Sequence, residues 1–327
     1  MWKSKRVSTI AGILVVSLGC VFLSVGDGMG QSFPNRPVTI IVPFTAGGST
    51  DVVTRSIAGA AEKKLGVPLI IANRAGAGGV IGMTELARSK PDGYTLGTMS
   101  IGSATVIPQM QKVSYNAATD FEYICGFTAY TYGVFVKANS RFKNLGDVIK
   151  EARANPGKIT YGTMSTYVQL ALKAVEHQEK IKMTYVPFGS GAEATASLVG
   201  GHIDIGIIST DAHKFLESKE IRMLASAAPK RWADLPDVPT MKELGYDVDV
   251  TSWTAMGAPA GVAKAQLNIF EEAFKAAHAN PEVKSFFEKL DAAAPFMSGE
   301  EIKKFYMKKQ VDVKPLIEAV KADQKKK

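Results

Sequence analysis

The chain has 327 residues, 46% of them hydrophobic, and a formal net charge of +8. This length and apolar content exclude a disordered or fibrous chain and allow two domains with their own cores. No basic patch interleaved with aromatic residues is present, so a nucleic-acid partner is not expected.

Residues 1–30 read as an export signal, since Lys3, Lys5 and Arg6 precede an apolar run from Ile10 to Val25. Gly28 and Gly30 supply small residues for cleavage after position 30. The apolar run is sixteen residues long. That falls short of the roughly 20 needed to cross a bilayer. Cys20 offers a lipid-anchored start as an alternative, which Leu18 and the apolar residues beyond the cysteine disfavour. Lys3, Lys5, Arg6 and Asp27 account for +2 of the charge, so the exported chain carries +6 and a mild bias toward anions. Its one cysteine, Cys125, excludes an intrachain disulfide.

The first structural unit runs from Thr39 to Leu65. Thr39 to Val42 is a short β-branched apolar run of the kind covered on both faces, and Pro43 ends the ladder by removing a donor. Val52, Val53, Ile57, Ala60, Ala61 and Leu65 recur at helical spacing behind the capping residues Ser49, Thr50 and Asp51. Gly47 and Gly48 therefore stand where backbone N–H groups are exposed at a helix start, a place suited to a carboxylate or phosphate. A capped turn without a ligand is the alternative, and Asp51 reads equally as a capping residue or a ligand contact.

The same pattern recurs down the chain. Leu69 to Ala72, Thr95 to Met99, Ile159 to Tyr161, Met183 to Pro187 and Ile203 to Ile208 are strand-like, each leading through a small or polar loop toward a helical stretch. The loops after the first unit include Asn73 to Gly79, Ser100 to Ser103 with Gly102, Thr163-Met164-Ser165-Thr166, Phe188-Gly189-Ser190-Gly191-Ala192, and Ser209-Thr210. Alternating units of this kind predict an α/β fold with mixed, mostly parallel sheets, and ligands collect at the carboxyl ends of such strands. Phe121 to Phe127 and Gly133 to Val136, followed much later by Thr251 to Pro259, suggest two crossings between domains. The remainder is helical, with spans at Val262 to Ala279, Pro281 to Leu290 and Gly299 to Lys321, the last kinked or divided at Pro315.

Other chemistries find little support. Gly76 to Gly82 resembles a dinucleotide fingerprint, but the acidic residue required about 20 positions later falls in the turn Lys90 to Tyr94. A close approach of backbone at a cleft, held by Asn73 and Arg74, is the preferred reading. His177, His202, His213 and His278 have no ligand-like spacing, so no metal and no cofactor are expected. Ser165 lies in a strand-to-helix loop without a nucleophile elbow, which leaves an exported α/β hydrolase as a rival and a helix cap or ligand donor as the preferred role. Loops rich in amides and hydroxyls hold a carboxylate without reacting with it.

An ordered set of motifs covers the exported chain: Pro37 to Phe44 with Gly47 to Asp51, Asn73 to Gly79, Pro91 to Leu96, Asn155 to Lys158, Val186 to Phe188, Leu198 to Asp204, Leu235 to Thr240, Trp253 and Ala258 to Gly261. Together they resemble the Bug-type extracytoplasmic solute receptors of tripartite tricarboxylate transporters. The resemblance implies a periplasmic-binding-protein fold of the second type, with hinge-crossing strands between two lobes. The expected lobes are residues 31–128 plus 253–327, and 129–252. It implies a monomer that binds a small carboxylate, partly through ordered water, and delivers it to a permease of one large and one small subunit. The positions carried over are Phe44, Thr45, Gly47, Gly48 and Asp51 on one side, and Gly162 to Thr166 and Phe188 to Ala192 on the other. Ser49, Ser100, Gly102, Ser209 and Thr210 complete the expected site from the remaining strand-end loops. The family's serine-rich loop followed by histidine is replaced by Thr163 to Gln169, and its Tyr-Lys-Gly by Phe188-Gly189-Ser190, so citrate is not assumed. A ligand-sensing module for a signalling partner is a third reading.

Overall fold

The computed structural model describes residues 33–209, 212–290 and 292–325. The expected export signal, Cys20 within it and Thr210 lie outside the described residues. The strands are β1 (Val38–Val42), β2 (Leu69–Asn73), β3 (Thr95–Ser100), β4 (Phe121–Tyr130), β5 (Gly133–Lys137), β6 (Thr160–Thr163), β7 (Thr184–Pro187), β8 (Ile205–Ile208), β9 (Ile221–Ser226), β10 (Ser252–Pro259) and β11 (Met297–Ser298). The helices are α1 (Ser49–Leu65), α2 (Val80–Ala87), α3 (Ile107–Met110), α4 (Leu145–Ala154), α5 (Thr166–Glu179), α6 (Gly191–Gly200), α7 (His213–Glu217), α8 (Lys264–Ala279), α9 (Pro281–Lys289), α10 (Gly299–Asp312) and α11 (Lys314–Lys325).

These strands make two mixed sheets, ordered β11-β4-β10-β3-β1-β2 and β7-β6-β8-β5-β9. Parallel pairing among these strands is confined to β1 with β2 and β3, and to β6 with β7 and β8; the other five of the nine pairings are antiparallel, so the sheets are mixed but not mostly parallel as expected, because the strands that cross between the sheets return in the opposite sense. Each of those neighbours is reached through a helical connection, whereas the strands at the crossings pair antiparallel: β10 with β3 and β4, β5 with β8 and β9. The strand ends of one sheet therefore share a level. Ser100 pairs with Thr254 near the end of β3, and Ser252 pairs with Tyr130 at the end of β4. In the second sheet Gly133, at the start of β5, pairs with Ile208 and Ser226. The chain crosses at Thr131-Tyr132 and returns before Ser252, and the two passages are tied where Ala227 N–H donates to the Tyr132 carbonyl (2.8 Å) and Val250 N–H to that of Ala227 (3.0 Å).

Apolar runs form the core as their pattern requires. Val38, Ile40 and Val42 of β1 are fully buried together with Val53 and Ile57 of α1, and in the second sheet so are Val134, Tyr161 and Ile205. Pro315 does divide the last helical span, which breaks at Val313 between α10 and α11. Sequence reading missed α4, whose start carries a complete capping box between Asn144 and Asp147. It also missed β9 and the two-residue β11, strands whose place depends on partners far away in the chain.

Candidate functional site

The loop between β1 and α1 is held by one buried carboxylate. Asp51 is 2% exposed; its Oδ2 accepts from the Gly47 N–H and from Arg55 Nε, and its Oδ1 accepts from Asn73 Nδ2, each at 2.9 Å. Asn73 Nδ2 also donates to the Phe44 carbonyl at 3.1 Å, so β2 supports the loop from below. Burial acts to raise the Asp51 pKa, yet the hydrogen bonds from Arg55, Gly47 and Asn73 bring it below the ordinary carboxylate value. Of the two residues expected to hold the neighbouring glycine loop, Asn73 ties β2 to the Phe44 loop, and Arg74 spans the glycine loop by pairing with Glu85 of α2 beyond it while its Nη1 donates to the Asn73 carbonyl at 3.1 Å. Sequence reading missed Arg55, although a carboxylate and a guanidinium four apart on a helix signal the contact.

Gly47 adopts φ +78°, a conformation that lets its N–H turn back toward Asp51. Gly48, the N-cap residue of α1, is extended and supplies no side chain to cap the helix. The second helix to begin at this level, α5, starts from Ser165, whose hydroxyl likewise caps nothing. By contrast α6 is capped, because Ser190 Oγ accepts from the Glu193 N–H at 3.1 Å.

Several expected residues converge. A methyl group placed on Gly102, after β3, would lie 3.5 Å from Ser165 Oγ and 3.6 Å from Tyr167 Cβ, so a loop of the first sheet meets one of the second. Ser100 and Ser103 hydroxyls stand 2.9 Å apart behind Gly102, and a methyl on Gly79 would reach Ser103 Cβ at 3.0 Å and the Phe44 ring at 3.5 Å. Phe44, Ser100, Gly102 and Ser165 thus belong to one connected group. Thr45, Gly47 and Met164 are exposed beside it, with Gly48, Ser49 and Thr166 half-buried. Thr163 is fully buried at the end of β6, its carbonyl accepts from the Phe188 N–H at 3.2 Å, and its hydroxyl has no partner among the described residues.

The Phe188 to Ala192 segment forms a second group. The Phe188 ring lies over Gly162, and the Gly189 N–H donates to Glu193 Oε2 at 2.8 Å. Among the described residues no hydrogen bond joins this segment to the first sheet. Ser209 is buried past β8, next to β6 in the sheet, and its carbonyl accepts from the Ala212 N–H. No histidine bonds to Ser165 among the described residues, and no group of three metal-ligating side chains occurs among them. Tyr167 was not anticipated: its hydroxyl donates to the carbonyls of Asp249 (3.0 Å) and Thr251 (3.4 Å) in the returning passage.

Residues 53–322 match the family described as the tripartite tricarboxylate transporter family receptor. The chain belongs to this receptor family. A protein encoded in the gbd 5' region of Cupriavidus necator is 32% identical over 295 residues, covering 89% of this chain and 90% of that one. The solved periplasmic binding protein BugD aligns with a TM-score of 0.76 at 29% identity, over 89% of this chain and 98% of its own. MatC of Rhodopseudomonas palustris, solved with bound malate, aligns with a TM-score of 0.78 at 25% identity, over 87% of this chain and all of its own. The expected Bug-type resemblance and the two-lobed α/β fold both stand, and the receptor is a solute-binding protein by family.

Proposed function

We propose that this receptor captures a small organic carboxylate between the loops at the strand ends of its two sheets and releases it to a membrane permease. The observation that carries this reading is the pair of helices, α1 and α5, that begin on either side of the Gly102 to Ser165 contact without a side-chain cap. Helix N-terminal amides need an acceptor, and a carboxylate supplies one with the charge that the helix dipole favours. Thr163, Ser165, Ser100 and Thr45 add hydroxyls, while Asp51 is fully engaged by Arg55, Asn73 and Gly47 and serves to shape the loop. Met164 and Phe188 give the ligand an apolar wall in place of a cation, which favours a carboxylate with an aliphatic or aromatic body. The malate held by MatC, a structural neighbour, supports the carboxylate class.

In this reading residues 31–128 with 253–327, and 129–252, are the lobes, and the passages at Thr131-Tyr132 and before Ser252 are the hinge. Contacts with both lobes supply the free energy of closure, since a ligand indifferent to the angle would shift nothing. The protein works as an exported monomer after loss of residues 1–30, with no catalytic step, and hands the ligand to a permease of two subunits.

The test is a thermal-shift screen with L-malate, adipate, benzoate, citrate and amino acids. A native-state ligand at 100 times its Kd stabilises by about 2.7 kcal/mol, which a melting curve resolves. A saturable shift with one carboxylate class is expected. No shift from any carboxylate, in protein shown to be folded and free of carried-over ligand, overturns the reading.

A further inference from the structure

The two sheets meet at the strand ends on a residue without a side chain. Gly102 opens a π-helical turn, Gly102–Val106, that follows β3, a rare conformation that tends to occur at functional sites. Side chains brace the turn: Thr105 Oγ1 donates to the Ile101 carbonyl and Gln109 Nε2 to that of Thr105, each at 2.8 Å, and the Tyr115 hydroxyl donates to the Ser103 carbonyl at 2.5 Å. Ser103 to Val106 are buried, while half-buried Gly102 faces the start of α5. Its φ is not positive, so a side chain there adds no backbone strain.

We propose that Gly102 is a specificity-determining residue: its bare backbone sets how near α5 comes to the first sheet on closure, and that distance sets the length of the carboxylate held between the two groups of loops. The inference rests on the reading of the strand-end loops as a ligand cleft closed by a hinge. A methyl group on Gly102 would lie 3.5 Å from Ser165 Oγ, 3.6 Å from Tyr167 Cβ and 3.8 Å from Ser100 Oγ. These are ordinary contact distances, so the gap takes one methyl group and a longer side chain forces the sheets apart. Tyr167 does not give way, because it is 1% exposed and its hydroxyl is bonded to the Asp249 and Thr251 carbonyls of the returning passage. The contact therefore stands one tyrosine side chain from that passage. An obstruction so near a hinge opens the far parts of the two sheets by more than its own width. Glycine permits a nearer approach than any other residue, which fits the cleft to a carboxylate with a short body.

The angle between the sheets is read without any ligand from two spin labels in the full chain carrying Cys20→Ser, Gly59→Cys on α1 and Ala196→Cys on α6. Both label positions are exposed, a side chain on Gly59 meets nothing within 4 Å, and the buried Cys125 stays unlabelled. α1 and α6 begin at the strand-end loops of opposite sheets, so the label separation follows the angle between them. The shortest separations populated by the parent should persist in Gly102→Ala and be lost in Gly102→Leu, whose distribution moves to longer distances. An unchanged distribution in folded Gly102→Leu overturns the proposal, as does an equal displacement in Gly102→Ala. Gly102→Val, one carbon smaller, carries the same test where the leucine variant does not fold. Thermal shifts with acetate, propionate, butyrate, hexanoate and octanoate then read the length preference. The best-stabilising chain should lengthen by at least one methylene from parent to Gly102→Leu, and an optimum that stays put overturns the role in specificity while leaving the carboxylate reading intact. No shift from any of these acids overturns the length assignment together with that reading, whereas the label distances decide independently whether Gly102 sets the approach of α5.

Discussion

At the scale of single residues, Asp51 fixes the loop between β1 and α1. Its pKa is lowered in the folded protein, so it contributes stability above the ordinary carboxylate value of 3.8, and that contribution is lost as pH falls through the lower folded value. Asp51→Asn should therefore destabilise the protein by about 2 kcal/mol at neutral pH. The gap from the parent should close as the pH is taken below 3.8, as followed by chemical denaturation across the acid range. Gly47 makes a different prediction. A side chain there meets nothing within 4 Å, so the cost of Gly47→Ala arises from φ +78° and not from a clash. A loss of roughly 1–2 kcal/mol, or a loop that relaxes and loses carboxylate affinity, is the expected outcome in parallel melting and binding experiments. Thr163→Val removes a buried hydroxyl that no described residue uses, so stability should hold while carboxylate affinity drops about tenfold; unchanged affinity would remove Thr163 from the site. The glycines, Thr163 and Asp51 were all legible as a strand-end constellation. The Asn73 and Arg55 contacts that fix the Asp51 carboxylate depend on side chains meeting at 2.9 Å, which spacing alone does not state.

At the scale of elements, α5 and α10 are fastened to the same passage. Tyr167 of α5 donates to the carbonyls of Asp249 and Thr251, while Lys309 of α10 pairs with the Asp249 carboxylate at 2.5 Å and donates to its carbonyl at 3.2 Å. The Lys309 side chain is 10% exposed and that of Asp249 29%, so water softens the loss of either partner. Lys309→Met should cost about 2 kcal/mol, below the roughly 3–5 of a fully buried pair, and Tyr167→Phe about 1 kcal/mol. Because both changes act on one residue, the double variant should lose less or more than the sum, a coupling readable in a double-mutant cycle. Amphipathic spacing made α1, α8, α9 and the divided last helix legible, whereas the expected caps of α1 were not: the helix is entered through Gly48, and Ser49, Thr50 and Asp51 lie inside its first turn. α4 carries a local signal too, the capping box between Asn144 and Asp147. β9 and β11 were not legible because a short strand is defined by its neighbour, and their neighbours, β5 and β4, lie far away in the chain.

At the scale of the whole molecule, the described residues form two hydrophobic clusters with no disulfide among them. Cys125 is fully buried, and burial together with the Glu271 charge pushes its thiol pKa up, which suppresses the reactive thiolate. The chain without residues 1–30 should melt at the same temperature with and without a reducing agent, and its thiol should react with a maleimide only on unfolding. A carboxylate that closes the hinge should also contract the scattering envelope, an effect absent in protein carrying a substitution that abolishes binding.

The linear sequence by itself determined the class of fold, the family and the ends of the strands where chemistry gathers, because hydrophobic period, glycine turns and helix starts are local properties of the chain. Only the tertiary structure decided that Gly102 faces Ser165, that Tyr167 and Lys309 meet on Asp249, and that the distant Trp232 and Trp253 border one cavity. Those relations arise when two sheets fold against each other across the crossing strands, and the distances they set between residues remote in sequence are not encoded in any local window.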